Sequence, residues 1–186
     1  MLEAAGVAVP TTWSELEEAC AKLTTDTCYG LAICAVGNEE GTFQFIPWLN
    51  SSGQFDDLTS EGSIEALSYL TGLVEKGYMS KEIINWTQGD VQKAFSAGNA
   101  AMMINGPWNI NAVQTDSPDK NWSVALVPKA DNGVNASCLG GENFAICTGA
   151  DVDSAWSFLS WFCGKEINEE YNYQIKKFSP RSDVDM

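Results

Sequence analysis

Apolar residues recur three or four positions apart in some stretches of this chain and run together in short blocks in others, predicting helices and buried strands respectively. In PTTWSELEEACAKLT, Leu16, Ala19, Cys20 and Leu23 share one helical face, and Thr12 followed by Glu15 makes a reciprocal capping arrangement, so a helix is predicted near 13–23. YGLAICAV then reads as a short buried strand. GNEEGTFQFIPWLNSSGQFDD reads as a long polar-aromatic segment whose Gly, Pro and Asn prevent a regular element. TSEGSIEALSYLTGLVEKGY places Ile64, Leu67, Leu70, Leu73 and Val74 at helical spacing and stops at Lys76-Gly77. TQGDVQKAFSAG repeats the grammar, with Thr87 as cap, Asp90 in the first turn, Val91, Ala94 and Phe95 inward, and Gly98 as stop.

The run AAMMINGPWNI follows. Ala100 to Ile104 reads as a strand, Asn105-Gly106 turns the chain, and Pro107 suits the first position of a short helix, where its missing N–H costs nothing. NWSVALVP and ENFAICTG are further strand candidates, separated by a Gly/Asn-rich stretch. DVDSAWSFLSWFCG predicts a helix with Ala155, Phe158, Leu159 and Phe162 inward, INEEYNYQI a weaker one, and a short tail closes the chain. Strands interspersed with capped helices predict an α/β chain with helices covering a sheet. In such sheets ligands sit beyond the strand ends, and that is where Trp108 falls.

Charge and cysteine usage narrow the chemistry. Ten basic residues stand against 25 acidic ones, a net charge of -15, and the lysines form no stripe that would track a phosphate backbone. Nucleic acid and anionic membrane are therefore poor partners. No run reaches the length of a membrane-spanning helix, and MLEAAGVAVP lacks the basic and apolar regions of a signal peptide. The six cysteines show no Cys-x-x-Cys spacing and there is no histidine, so neither a metal site nor a cofactor is expected, and nucleophile systems built on histidine are excluded. Cys34 and Cys147 sit among apolar neighbours, as small buried hydrophobes do.

Seven tryptophans remain to be placed. Trp13, Trp122 and Trp156 lie in predicted regular elements and read as packing, whereas Trp48 and Trp108 lie at irregular boundaries beside amide side chains. A sugar ring has an apolar C–H face and a hydroxylated rim, so a saccharide site needs flat aromatics together with Asn, Gln, Asp, Glu or backbone groups. TFQFIPWLN and INGPWN supply both. A carbohydrate-active enzyme would need a facing pair of carboxylates, for which Asp56, Asp57, Glu61 and Glu142 are the available residues, but no motif pairs any two. A binding or interaction domain without transport is the other alternative.

The order of EAAGV, PTTWSELEEACAKLT, YGLAI, FIPWLNSSGQF, EGSIEALSYLTGLVEKGY, VQKAFSAGNAAMMINGPWNI, VALVP, LGGENFAI and SAWSFLSWF resembles the solute-binding proteins of sugar ABC importers, the family that includes maltose-binding protein. FSAGNAAMMINGPW is the most specific segment, and the likeness runs over nearly the whole chain. The resemblance implies a partial two-lobe, type II periplasmic-binding-protein fold. Residues 1–118 would then belong mainly to the C-terminal lobe, 119–149 would complete the N-terminal lobe, and 150–186 would return as helices to the C-terminal lobe. It implies an extracytoplasmic receptor that binds a mono- or oligosaccharide without catalysis or cofactor and hands it to the transmembrane subunits of an ABC permease. Part of the family's fold should lie before Met1 and further helices after Met186. By resemblance Trp108 matches a sugar-stacking tryptophan, with Asn105 beside it. Phe43, Gln44, Phe45 and Trp48 match a second aromatic wall, Gly140, Gly141 and Glu142 a loop from the opposite lobe, and Arg181 the Pro-x-Arg region.

Overall fold

Helix α1, Trp13–Leu23, has the expected bounds, and the Thr12 side chain accepts from the Glu15 N–H. Only half of the capping box forms, because the Glu15 carboxylate turns instead to the N–H and hydroxyl of Thr11. A remote carboxylate contributes at the same end: Asp131 accepts from the Ser14 N–H and hydroxyl, placing negative charge at the helix N-terminus. The inward face is the predicted one, with Leu16, Ala19, Cys20 and Leu23 all buried.

This computed structural model describes residues 1–53 and 56–185 and divides the chain into two units, Met1–Cys138 and Leu139–Met186. The division falls at 138/139, so residues 119–138 group with the preceding part of the chain. In the first unit, strands β1, Tyr29–Ala32, and β2, Ala100–Met103, pair in parallel with Tyr29 opposite Ala100 and Leu31 opposite Met102. A parallel pair needs a crossover connection, and the long segment between them carries α2 (Glu39–Ser51), α3 (Glu61–Glu75) and α4 (Gln88–Ala97). On the other side of β1, the N–H groups of Gly30 and Leu31 donate to the Tyr78 carbonyl. Helix α1 lies so close to β1 that a Cβ on Gly30 would stand 2.5 Å from Cys20 Cα.

Helix α2 corrects the sequence reading, which expected an irregular segment over 37–57. An internal proline removes a helical hydrogen bond and crowds the preceding turn, a cost of about 3 kcal/mol. Here Asn38 caps the helix through the Glu40 N–H, and burial of Gln44, Pro47, Trp48 and Leu49 along one side offsets the cost. The Gln54 and Phe55 part of the expected segment lies outside the described residues. Helix α3 ends as predicted, Gly77 adopting φ +77, but its inward face is Ser63, Ala66, Leu70 and Leu73, with Ile64 and Leu67 exposed. Helix α4 realises the full capping box of Thr87 and Asp90 and stops at left-handed Gly98.

The strands expected over NWSVALVP and ENFAICTG do not form. Alternating apolar residues favour an extended backbone, but a strand exists only where a neighbour supplies ladder bonds. Among the described residues of these stretches and their connection, one bridge appears: Lys129 pairs with Thr12, its N–H donating to the Thr11 carbonyl and its carbonyl accepting from the Trp13 N–H. The 128–134 segment is further pinned by the Val134 N–H donating to the Ser51 carbonyl and by side chains. Trp13 Nε1 donates to the Pro128 carbonyl, and Ser51 Oγ accepts from the Ala130 N–H while donating to the Val134 carbonyl.

The main core joins α1, β1, α2 and α3 around Trp13, Leu16, Leu31, Trp48, Leu70 and Leu73. In the second unit, α6 (Val152–Phe162) is capped by Asp151, and α7 (Lys165–Ile175) follows after Gly164. The face expected to turn inward on α6 holds no buried residue, Phe158 is exposed, and Trp156, read from the sequence as packing, is exposed as well, because α6 buries neither side here.

Candidate ligand-binding site at the strand ends

Because β1 and β2 are parallel, the chain leaves both at the same end, through Ile33–Val36 and through Ile104–Trp108. The last rung of the pair is the Ile104 N–H donating to the Ala32 carbonyl. Beyond it the side chain of Gln44 replaces the ladder: its Oε1 accepts from the Cys34 N–H at 2.7 Å and its Nε2 donates to the Ile104 carbonyl at 3.0 Å. A buried backbone donor and a half-buried acceptor are thereby satisfied by one buried amide, which fixes α2 against both strand exits.

Asn105 anchors the next step. Its Nδ2 donates to the Gln88 carbonyl at the start of α4, and its Oδ1 accepts from the Gly106 N–H and from Asn109 Nδ2. Glu40 on α2 in turn accepts from the Gln88 N–H at 2.7 Å. The starts of α2 and α4 and the exit of β2 are thus tied together by side-chain bonds. Pro107 opens a short 3₁₀ turn, Pro107–Asn109, which runs into α5 (Ile110–Asp116), as the sequence predicts. Gly106 differs from the sequence reading: at φ -126 and ψ 174 it is extended, and no left-handed turn residue is needed there.

Trp108 stands on this turn with 38% of its surface exposed. Phe43 meets it nearly edge-on, the ring centroids 5.8 Å apart and the planes at 69°. Of the residues expected in a second aromatic wall, only Phe43 reaches Trp108. Trp48 lies five residues on, about 140° round the helix at 3.6 residues per turn, and it is buried against Trp13 and Tyr69. The expected surface platform at Trp48 is therefore a core residue, because α2 is a helix and not a loop. Its Nε1 is the one buried side-chain polar atom without a hydrogen-bond partner among the described residues. Phe45 packs on the same core, and Gln44 is a bracket between strands whose amide is engaged at both ends.

Phe43, Gln44, Asn105 and Trp108 are thus gathered at one end of the strand pair. The sequence reading does not single out Glu40 or Gln88; the signal was Asn38 followed by Glu39-Glu40, a cap and an acidic first turn, overshadowed by Pro47. Burial pushes the Cys34 thiol up, the nearby Glu40 and Asp90 carboxylates adding to this against a backbone bond from Val36, so Cys34 is no ready nucleophile.

The remaining expected contacts lie in the second unit. Gly140 and Gly141 are exposed. Glu142 pairs with Lys177, whose hydrogen bond holds the Glu142 carboxyl below its usual range. Arg181 grips Asp183 through two bonds of 2.8 and 2.9 Å, raising the guanidinium pKa, and donates to the Cys163 carbonyl.

Helices packed on parallel strands, with an aromatic and amide cluster at the strand ends, define an α/β fold of the periplasmic-binding-protein kind, open-sheeted and partial. The chain belongs to the bacterial extracellular solute-binding protein family, which it matches over residues 1–184. Among solved structures it is similar to the GacH receptor of Streptomyces glaucescens, determined unliganded and with acarbose. The TM-score is 0.86 at 26% identity, over 98% of this chain and 49% of that one. An ABC transporter solute-binding protein of Thermotoga lettingae bound with alpha-D-tagatose gives 0.82 at 26% identity, over 96% and 49%. The galactooligosaccharide-binding protein of Bacillus subtilis is 26% identical over 129 residues, 66% of this chain and 29% of its own length. A Brucella abortus protein described in general terms as a binding protein is 24% identical over 199 residues, 97% of this chain and 46% of that protein. The chain thus spans about half the length of the curated relatives that match nearly all of it.

Proposed function

We propose that the protein captures a mono- or oligosaccharide outside the cytoplasm and serves an ABC import system, with Trp108 as the stacking platform. The observation that carries this reading is the half-open indole at the strand ends, flanked by the Phe43 ring and the Asn105 and Asn109 amides. A flat apolar face beside polar groups suits a sugar ring, whose C–H face stacks while its rim forms hydrogen bonds. Nothing in such a site needs to react with the ligand: capture requires only that the bound state gain contacts. Relatives at 26% identity that are described with acarbose, tagatose or galactooligosaccharide support the ligand class. The permease is the partner that the family reading supplies, its transmembrane subunits receiving the saccharide.

The test is calorimetric titration with acarbose, tagatose and galactooligosaccharides, on this chain and on a version extended to the length of its relatives. Trp108→Ala is expected to weaken binding by about 1–3 kcal/mol, the scale of a lost aromatic anchor. An unchanged Kd in that variant, or no heat with any of the sugars in either version, overturns the reading.

A further inference from the structure

Gly106 is glycine for a reason its backbone does not supply. Its φ and ψ are those of an extended residue, open to any side chain. What excludes a side chain is the ring of Trp108. A Cβ on Gly106 would stand 2.1 Å from Cη2, 2.2 Å from Cζ3 and 2.4 Å from Cζ2. Three neighbouring ring carbons at nearly equal distance mean that the ring presents its face to Gly106. An edge-on approach at Cη2 would leave the two flanking carbons well beyond it.

From this we infer that Gly106 is a positioning residue for the Trp108 platform: the bare Cα seats one face of the indole, Phe43 meets the ring at 69°, and only the part of the ring that these two leave exposed can take ligand. The inference rests on the reading of Trp108 as a stacking platform and sharpens it. With one face spent on Gly106, the indole stacks one sugar ring and is not intercalated between two. The seat is locally built. The Gly106 N–H donates to Asn105 Oδ1 at 3.0 Å, and the Gly106 carbonyl accepts from the Asn109 N–H at 3.1 Å, so both peptides flanking the Cα are held. The backbone at Gly106 is therefore anchored on both sides, whereas the indole is the far end of a side chain. A methyl at this position displaces the ring.

Fluorine NMR of the chain labelled with fluorotryptophan tests this directly, the Trp108 resonance being assigned by its loss in Trp108→Phe. In Gly106→Ala the Trp108 resonance is expected to shift while those of buried Trp13 and Trp48 stay in place. An unmoved Trp108 resonance overturns the inference. Acarbose titration adds a cycle: Gly106→Ala is expected to weaken binding at least about fivefold, with no further loss when added to Trp108→Ala. An equal loss in the Trp108→Ala background overturns it, because Gly106 would then act through something other than the ring. If Trp108→Ala alone leaves acarbose affinity unchanged, it is the platform reading that fails, and the NMR shift still decides the seat. Should Gly106→Ala not fold, the double variant Gly106→Ala/Trp108→Ala removes the atoms with which the methyl collides. Folding of the double variant supports the inference, and its failure overturns it.

Discussion

Cys20 shows how one position is held from several sides. It is fully buried on α1, and a methyl on Gly30 would meet its Cα, Cβ and carbonyl oxygen at 2.5 to 2.9 Å. Two of those atoms are backbone, so no side-chain movement relieves the clash, and Gly30→Ala is expected to destabilise the chain by about 1–3 kcal/mol in urea unfolding, as overpacking does. Burial, with the Glu17 carboxylate adding to it, pushes the Cys20 thiol up to about 12. Thiolate is the reactive form. Iodoacetamide near neutral pH should therefore modify the exposed Cys147 and Cys163 and spare Cys20 and Cys34 until the chain is unfolded, as mass spectrometry would show. Modification of Cys20 at the same rate as Cys163 would contradict this placement. Residue types alone identified Cys34 as a small hydrophobe and Trp108 as a candidate contact, but gave Cys147 the same buried reading although it is exposed, the strand expected around it not forming. They could not separate Trp108 from Trp48, because each is a tryptophan near Pro and Asn and the difference lies in which helical face each occupies.

At the scale of the element, the caps at Thr12 and Thr87 were the most legible feature, and the structure adds Ser60 and Asp151. Thr12, Ser60, Thr87 and Asp151 each accept from the backbone N–H three residues on, a bond whose partners lie within one turn and need no tertiary context. The acidic members of these ends titrate accordingly. Hydrogen bonds from Thr11 to Glu15, from Thr87 to Asp90, from Ser14 to Asp131 and from Ser154 to Asp151 hold all four carboxyls below their ordinary values. A carboxyl whose pKa is lower in the folded state stabilises the fold above its unfolded value, and the contribution is lost as pH falls through the folded value. The melting temperature should therefore decline as pH drops below about 4, followed by circular dichroism. Asp90→Asn should lessen the decline. Helix α2 was the element missed, since Pro47 is a local signal against a helix and the opposing signal, burial of Trp48 and Leu49, is a property of the assembled core.

At the scale of the whole molecule, the first unit holds its strand pair between helices and several buried clusters, whereas α6 in the second unit buries no residue. Opening free energy follows such burial. Hydrogen exchange should be slowest in β1, β2 and α1 and fast in α6; equal protection of α6 and β1 would contradict that ordering. The sequence by itself determined the helix bounds set by caps and glycines, that strands begin in YGLAICAV and at Ala100, though β1 stops at Ala32 where a strand over 29–36 was expected, the α/β class and the position of Trp108 just past a strand. Each of these depends on interactions within a few residues or on the period of one element. Only the tertiary structure decided that α2 is a helix, that Trp48 is core, and that NWSVALVP and ENFAICTG lack strand partners. Pairing and packing depend on which distant groups meet, as when Gln44 closes two strand exits or Asp131 caps α1, and no local pattern encodes that meeting.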